Sequence, residues 1–544
     1  MILAIRNFIK KPMVKDILII ATIGFLFFMY GNQNFTLYDE SEALYSRVAQ
    51  EMVQNQEYLT LTLNGANWYV HPPMYFWMVS QFCETFGWTE FNLRFLQGFF
   101  GILTIIATYL LGGVFFKRRI AFFGALVLGT SFYFYPMSHL AVFDNLLNFF
   151  MLFSLFCFFK AFYERDKINL WLPIAAVSTA LAVLSKGPIG LVQQGMFILP
   201  FLIYKKDLKF LGQWIFLGSA ALFFVIVAPW YTYQLMVNGK PFFDLALRDY
   251  TWYRFFGVVE NQSGPWYYYF PVLLMFYPWI FYLPGVIAKS RKAMLPTIVE
   301  IQDFAPLQEP QPRKKDFYVF SWMAMIITFL FFMAAQTKLP HYIILMFPFL
   351  SILTVDYLLN NWQTKATKIM TGVMVAFTGL LFMISWLIKI PAVAGLANSN
   401  LIWIFFLIPF IASIFYLIAN FIRDFKTGLI VYIIGTFGFV VFLMTVFLPA
   451  VEGLKETPAL IEIIKQEQAP YILVHIKGYN PSLMYYLNTN VVHLKDVETQ
   501  DIASLQGETK RYFVMPKSEE AKFKRLYPEV RKIAKSGSKG LYAH

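Results

Sequence analysis

Apolar residues run in long blocks through most of this chain, and polar residues are confined to the gaps. A window of about 19 residues, matched to the hydrocarbon thickness of a bilayer, predicts spans at roughly 16–31, 93–116, 119–138, 141–162, 170–185, 188–204, 211–235, 266–288, 317–335, 340–359, 369–391, 401–420 and 428–450. That pattern predicts a polytopic α-helical membrane protein of about thirteen transmembrane helices over residues 1–450. From about Val451 the period changes. Short apolar runs at 471–475, 491–494 and 511–515 alternate with helical patterns near 458–466, 481–487 and 518–526, which predicts a small α/β domain over 451–544. That domain shows neither a glycine-rich phosphate loop nor a catalytic triad, so support or acceptor contact is its expected role.

Two gaps are long. In residues 32–92, the stretch LYDESEALYSRVAQEM carries a helical pattern over 42–53, with Leu44, Val48 and Met52 on one face. Asp39 is placed to cap its N-terminus and Glu42 to complete the cap. The apolar stripe suits a helix lying on the membrane surface. Asn64-Gly65 predicts a turn, and Pro72-Pro73 opens a second interfacial helix through Phe86. The other long gap, 236–265, is rich in Trp, Tyr and Arg. Residues 16–31 have no small-residue cleavage site after them and read as a retained span.

Composition agrees with this division. The 544 residues are 58% hydrophobic and only 14% charged, with 61 Phe, 32 Tyr and 13 Trp, more apolar surface than a soluble core can hide. Two cysteines, Cys83 and Cys157, offer neither a disulfide framework nor a thiolate metal site. The net charge of +13 is topological and marks no nucleic-acid partner, because basic residues cluster in alternate short gaps. Arg6, Lys10, Lys11 and Lys15, then Lys117, Arg118 and Arg119, then Lys160, Arg165 and Lys167, then Lys205, Lys206 and Lys209 fall on one side. Far fewer fall on the other. The N-terminus is therefore expected on the cytoplasmic side and the C-terminal domain outside.

Sorted by side, His71, His139, His341, Asp144, Lys186 and Lys338 all fall at the outer face. Asp39 and Glu40 form a carboxylate pair at the mouth of the bundle, suited to a cation, a substrate hydroxyl or a proton. Asp144 lies just inside an apolar span, where a carboxylate is costly unless it is used or paired. Lys186 in LSKGPIG and Lys338 in QTKLPHY each stand beside a helix-breaking proline, where cations and freed backbone amides suit a phosphate, or else snorkel to headgroups. Arg254, with Arg248, adds positive charge among aromatics. Tyr69, Glu42, His71 and His341 are expected to contact acceptor or substrate. His71 could also hold a divalent metal with Asp39, although the non-local spacing favours a merely hydrogen-bonded histidine. No other cofactor is indicated.

In this order YDESEALYSRVAQEM, YVHPPMYFW, FDNLLNFF, LSKGPIGL, GPWYYYFPVLLMFYPW and TKLPHYIILMFPFLSIL resemble the bacterial protein-mannosyltransferase and aminoarabinose-transferase superfamily, glycosyltransferases of the GT-C fold. The resemblance covers about residues 30–350. The span count and outer domain look most like the aminoarabinose-transferase branch. The resemblance implies that Asp39 is the principal catalytic aspartate, Asp144 a second active-site carboxylate, and Lys186 and Lys338 neighbours of a donor phosphate. It also implies a sugar donor on polyprenyl (undecaprenyl) phosphate and an extracytoplasmic acceptor. One departure stands at Val70-His71-Pro72, where that branch carries Glu-Lys-Pro.

The expected reaction is inverting transfer of the sugar to a hydroxyl on protein or glycan, with Asp39 as base and the cations stabilising the departing phosphate. Aminoarabinose transfer to a lipid A phosphate is the alternative within the family. A lipid-linked-sugar transporter or flippase is the alternative outside it. It would need ionisable groups near mid-membrane, and no internal repeat of the carrier type is visible.

Overall fold

The structure, a computed structural model, describes residues 11–258, 262–295, 312–387, 400–452, 455, 457–466, 470–477, 480–495, 510–536 and 539–543. Arg6 and Lys10, the end of the expected span at 369–391 and the Glu40 side chain lie outside them.

Ten helices are long and apolar enough to cross a membrane among the described residues, or eleven if one bent pair counts as a span. The expectation of thirteen is corrected at three places. The span expected at 119–138 ends as a 12-residue helix, Arg118–Gly129. At 1.5 Å per residue it covers about 18 Å, well short of a hydrocarbon core of about 30 Å. The span expected at 188–204 is the 16-residue helix Ile189–Tyr204. The span expected at 266–288 is broken, with Tyr269–Phe276 and Trp279–Met294 meeting at 100°. Windowed hydropathy registers apolarity and is blind to a bend inside the window.

Local chemistry explains the helix ends near the site. Thr89 caps Glu90–Phe115 by accepting from the Asn92 N–H at 3.2 Å, and Glu90 sits in its first turn, where the helix dipole favours an acid. Gly187, at φ +97°, ends Ile168–Lys186 in a conformation that a side chain would strain. Close packing needs small residues: a Cβ on Gly98 would stand 2.8 Å from the Phe28 carbonyl oxygen, so Pro12–Met29 lies nearly backbone to backbone with Glu90–Phe115.

Residues 32–92 fold onto one end of this bundle. The helix Leu44–Gln54 is preceded by a π-helical turn, Asp39–Ala43. Its Val48 and Met52 are buried in the main core beside Met74–Phe86, so the expected stripe packs on protein and does not lie on a membrane surface. A two-residue hairpin pairs β1 (Thr62–Leu63) with β2 (Ala66–Asn67), and Asn64 and Gly65 take the positive φ values that such a turn requires.

Beyond Thr457–Lys465, the expected strands are present as β3 (Tyr471–Ile476), β4 (Val491–Leu494) and β5 (Lys510–Pro516). Two further strands, β6 (Arg531–Ser536) and β7 (Lys539–Ala543), complete a sheet of order β4-β3-β5-β7-β6. The first three are parallel and the last two antiparallel. The lysine-rich outer strand β6 lacks the apolar run that marks a buried strand. This layer sits on the 32–92 segment. Arg47, paired with Glu51, donates to the side-chain oxygens of Asn488 and Asn490 at 2.9 and 2.8 Å, and Asn64 exchanges two hydrogen bonds with the Val491 backbone.

Candidate active site

A cavity of about 380 Å³ opens at the end of the bundle covered by residues 32–92. Its walls are aromatic and aliphatic, with Trp230, Tyr231, Phe255, Phe332 and Tyr342 among them, and its cations are Lys186 and Arg254. Tyr69, Val70, His71 and Thr337 also line it, and among the described residues no carboxylate does.

Lys186 is the last residue of its helix and points back at the first residue of another, its Nζ 2.5 Å from Asp144 Oδ1. Both side chains are nearly buried, so each supplies the charge without which the other would be costly to keep there. The same Asp144 oxygen lies 3.7 Å from His341 Nε2. Lys186 Nζ also stands 5.2 Å from the Phe143 ring centre and 5.6 Å from that of Tyr342.

Arg254 reaches the cavity because two connecting segments pair. The Gln336 and Thr337 N–H groups donate to the Phe255 and Arg254 carbonyls at 3.0 and 3.2 Å, and Lys338 N–H donates to the Gln262 carbonyl. Arg254 Nη1 then lies 3.4 Å from the Tyr342 hydroxyl, with its guanidinium 5.1 Å from the Tyr250 ring centre.

His71 is buried against Phe143, 4.3 Å between ring centres, with Tyr45 and Trp68 around it. Burial, reinforced by Arg254 and Lys186, holds its pKa well below the ordinary histidine value, so the imidazole is neutral at pH 7. Tyr69 accepts a hydrogen bond from Asn67 at 2.8 Å.

The structure thus gathers Asp144, Lys186, Arg254, His71, His341 and Tyr69, and it corrects the placement of three others. Glu42 is a fully buried strut. Its two oxygens take Arg94 Nε and Nη2, each at 2.8 Å, and it also accepts from the Ala141 and Tyr38 N–H groups. No lone pair faces an acceptor well enough to keep the role expected of it. Lys338 turns away from the cavity, its Nζ donating to the Ala335 carbonyl and its pKa lowered by burial. Asp39 does not cap its own helix. Its Oδ1 accepts from the Ser482 N–H at 3.0 Å, in the first turn of Pro481–Leu487, and Thr457 Oγ1 lies 3.5 Å from its Oδ2. The freed amides expected near Lys186 are also engaged, since the Gly190 and Leu191 N–H groups donate to the Gly187 and Pro188 carbonyls.

Among the described residues no group of three or more His, Cys, Asp or Glu side chains is arranged to hold a metal ion, so Asp39 and His71 have no completing ligand. Arg94, Tyr342 and Thr337 were not singled out as site residues from the sequence. Arg94 had one signal, a lone cation in the apolar run EFNLRFLQGFF.

Chemically, the cavity can hold an amphiphile whose anionic head meets Lys186 and Arg254 while its chain follows the aromatic wall. The profile of the family described as dolichyl-phosphate-mannose-protein mannosyltransferase matches residues 70–233. An undecaprenyl phosphate-alpha-4-amino-4-deoxy-L-arabinose arabinosyl transferase of Proteus mirabilis is 24% identical over 390 residues, 68% of this chain and 65% of that protein. An uncharacterized protein of Aquifex aeolicus is 25% identical over 81% of this chain and 80% of its own length. The crystal structure of ArnT from Cupriavidus metallidurans bound to undecaprenyl phosphate superposes with a TM-score of 0.81 over 97% of both chains, at 18% identity. The shared architecture is the GT-C membrane fold, and the matched profile and the arabinosyl-transferase relatives indicate an ArnT-like glycosyltransferase.

Proposed function

We propose that this chain moves a sugar from a polyprenyl phosphate to an acceptor hydroxyl at the extracytoplasmic face of a bacterial inner membrane. The observation that carries the donor assignment is the cavity itself, two cations at the head of an aromatic channel. Relatives named for undecaprenyl-phosphate chemistry support the same donor. The charge pattern of the sequence supports the orientation, N-terminus in the cytoplasm and C-terminal layer outside.

In this reading Lys186 and Arg254 hold the donor phosphate, Asp144 fixes the direction of Lys186, and Tyr342 supports Arg254. The acceptor oxygen bonds to the anomeric carbon as the bond from that carbon to the phosphate oxygen breaks. The electron pair leaves on the phosphate, where both cations stabilise it. The acceptor proton passes to Asp39. That carboxylate stands on the π-helical turn whose Glu42 accepts from Ala141, three residues before Asp144, so the turn is packed against the segment that carries the centre. Neutral His71 offers a hydrogen bond to the sugar without adding a second repulsive charge beside the cations.

The names of the arabinosyl-transferase relatives favour a second reading, transfer of an amino sugar to a lipid phosphate. Val70 and the carboxylate-free lining weigh toward a sugar without an ammonium group, which would meet cations there and no counter-charge. Transport is less well supported. Toward the other end, Asp356 is closed by Lys289 and Lys314 at 2.8 and 2.9 Å and Asp316 by Lys205 at 2.8 Å, which leaves no open relay among these groups.

The test is a panel of labelled undecaprenyl-phosphate sugars offered to the purified protein with hydroxyl acceptors and with lipid A. Sugar transfer to a hydroxyl supports the proposal. Transfer only from the amino-arabinose donor to lipid A selects the second reading, and translocation without turnover of any donor refutes both.

A further inference from the structure

A second cavity, of about 370 Å³, lies at the opposite end of the bundle from the sugar-transfer cavity. It is walled by the far ends of Glu90–Phe115 and Asp144–Tyr163 and by the starts of Arg118–Gly129 and Pro312–Ala334. Leu110, Val114, Phe156 and Phe159 make an apolar floor. Three cations, Arg118, Lys160 and Arg313, face one lining carboxylate, Glu164. Arg118 is held by Asp16 at 2.6 Å and is half exposed, and Lys160 pairs with Glu164. Arg313 stacks 5.0 Å from the Tyr163 ring centre and forms no ion pair among the described residues.

We propose that this cavity is a binding site for an anionic glycerophospholipid of the leaflet facing away from sugar transfer. A phosphate with one net negative charge complements the surplus of lining cations, and an acyl chain covers the apolar floor that a soluble anion would leave bare. A zwitterionic lipid carries its own cation into the same positive field and gains less. Basic pockets between spans on the cytoplasmic side recognise anionic headgroups by this combination. The cavity shares no lining residue with the sugar-transfer cavity, so the proposal stands apart from the proposed activity.

Gly113 gives a way to close the cavity without touching charge. It lies in the last turn of Glu90–Phe115 on the cavity wall, and a Cβ there would meet nothing within 4 Å, so Gly113→Leu fills space and replaces glycine with a better helix former. The experiment is native mass spectrometry of the full chain with phosphatidylglycerol, phosphatidylcholine or inorganic phosphate added, comparing the native protein with Arg313→Ala and Gly113→Leu. Retention of phosphatidylglycerol over phosphatidylcholine is expected, falling about fivefold when the arginine contact is lost and by at least as much when the floor is filled. Equal retention of the two lipids, unchanged phosphatidylglycerol retention in either variant, or inorganic phosphate bound as firmly as the lipid overturns the proposal.

Discussion

Arg94→Ala is expected to be among the most damaging single changes outside the cavity. Arg94 is fully buried and carries five hydrogen bonds. Two go to Glu42, and three go to the carbonyls of Asn32, Phe35 and Thr36 at 2.7, 2.8 and 3.1 Å. Truncation leaves the Glu42 carboxylate buried with only the Ala141 and Tyr38 amides for company. Removing one partner of such a pair costs about 3–5 kcal/mol, because the stranded charge cannot reach water. Removing both partners, as in Arg94→Met with Glu42→Gln, strands no charge and costs less than the two single changes together. A double-mutant cycle should therefore show coupling of about 2–3 kcal/mol. The assay is thermal unfolding in detergent, followed by chromatography of the surviving monodisperse fraction, with tryptophan emission as a second probe. The strut also holds the turn carrying Asp39, so activity should fall with stability in Arg94→Ala and recover in part in the double variant. Additive effects of the two changes, or a loss below about 0.5 kcal/mol for Arg94→Ala, would refute the claim that this pair organises the 32–92 segment.

Other outcomes follow from single contacts. Asp39→Asn can still accept from the Ser482 amide, so the protein should stay folded while sugar transfer falls about 10²- to 10⁴-fold, the range of a lost general base; an unchanged turnover number removes Asp39 from that role. Lys338→Met should leave the donor KM within about twofold, set against the roughly tenfold or greater loss expected for a charged phosphate contact, because its ammonium turns to the Ala335 carbonyl. His475, buried in β3 with a pKa held down to about 3 by burial and by His493 and Lys539, gives the C-terminal layer a pH dependence. The unfolded chain takes that proton near pH 6.5 and the folded chain only near 3, so the contribution is complete above about 6.5 and fades as pH falls. About 2 kcal/mol should be gone at pH 5; melting of the native protein and His475→Gln between pH 7 and 5 checks this, and equal slopes contradict it.

The helical bundle was readable in the sequence because apolar length is a one-dimensional signal, and so were Asp144 and Lys186, each a charge interrupting an apolar run. Their direct pairing across 42 residues was not, since it depends on two helices ending at the same level. Glu42 looked like a ligand-facing acid because its partner Arg94 is 52 positions away. Lys338 shows the limit most plainly. The residue stands where a phosphate ligand was expected, yet its side chain turns inward, a choice of rotamer that sequence spacing cannot encode. Asp39 was expected to cap the helix that follows it, but its carboxylate accepts instead from the Ser482 amide, on the other side of the whole membrane domain in sequence. Strand β6 was missed because its alternation is filled by Arg and Lys at an exposed sheet edge.

The most direct test of the account is donor affinity in two variants, measured with a labelled undecaprenyl-phosphate sugar on protein shown to be folded. Arg254→Ala removes one cation from the cavity, and Lys186→Met with Asp144→Asn removes the other without stranding a buried charge. Each should raise the donor KM about 10- to 100-fold, as expected for loss of a charged hydrogen bond to phosphate, while His341 and Tyr342 remain in place. Donor KM and turnover unchanged in both variants would contradict the assignment of this cavity to the donor phosphate.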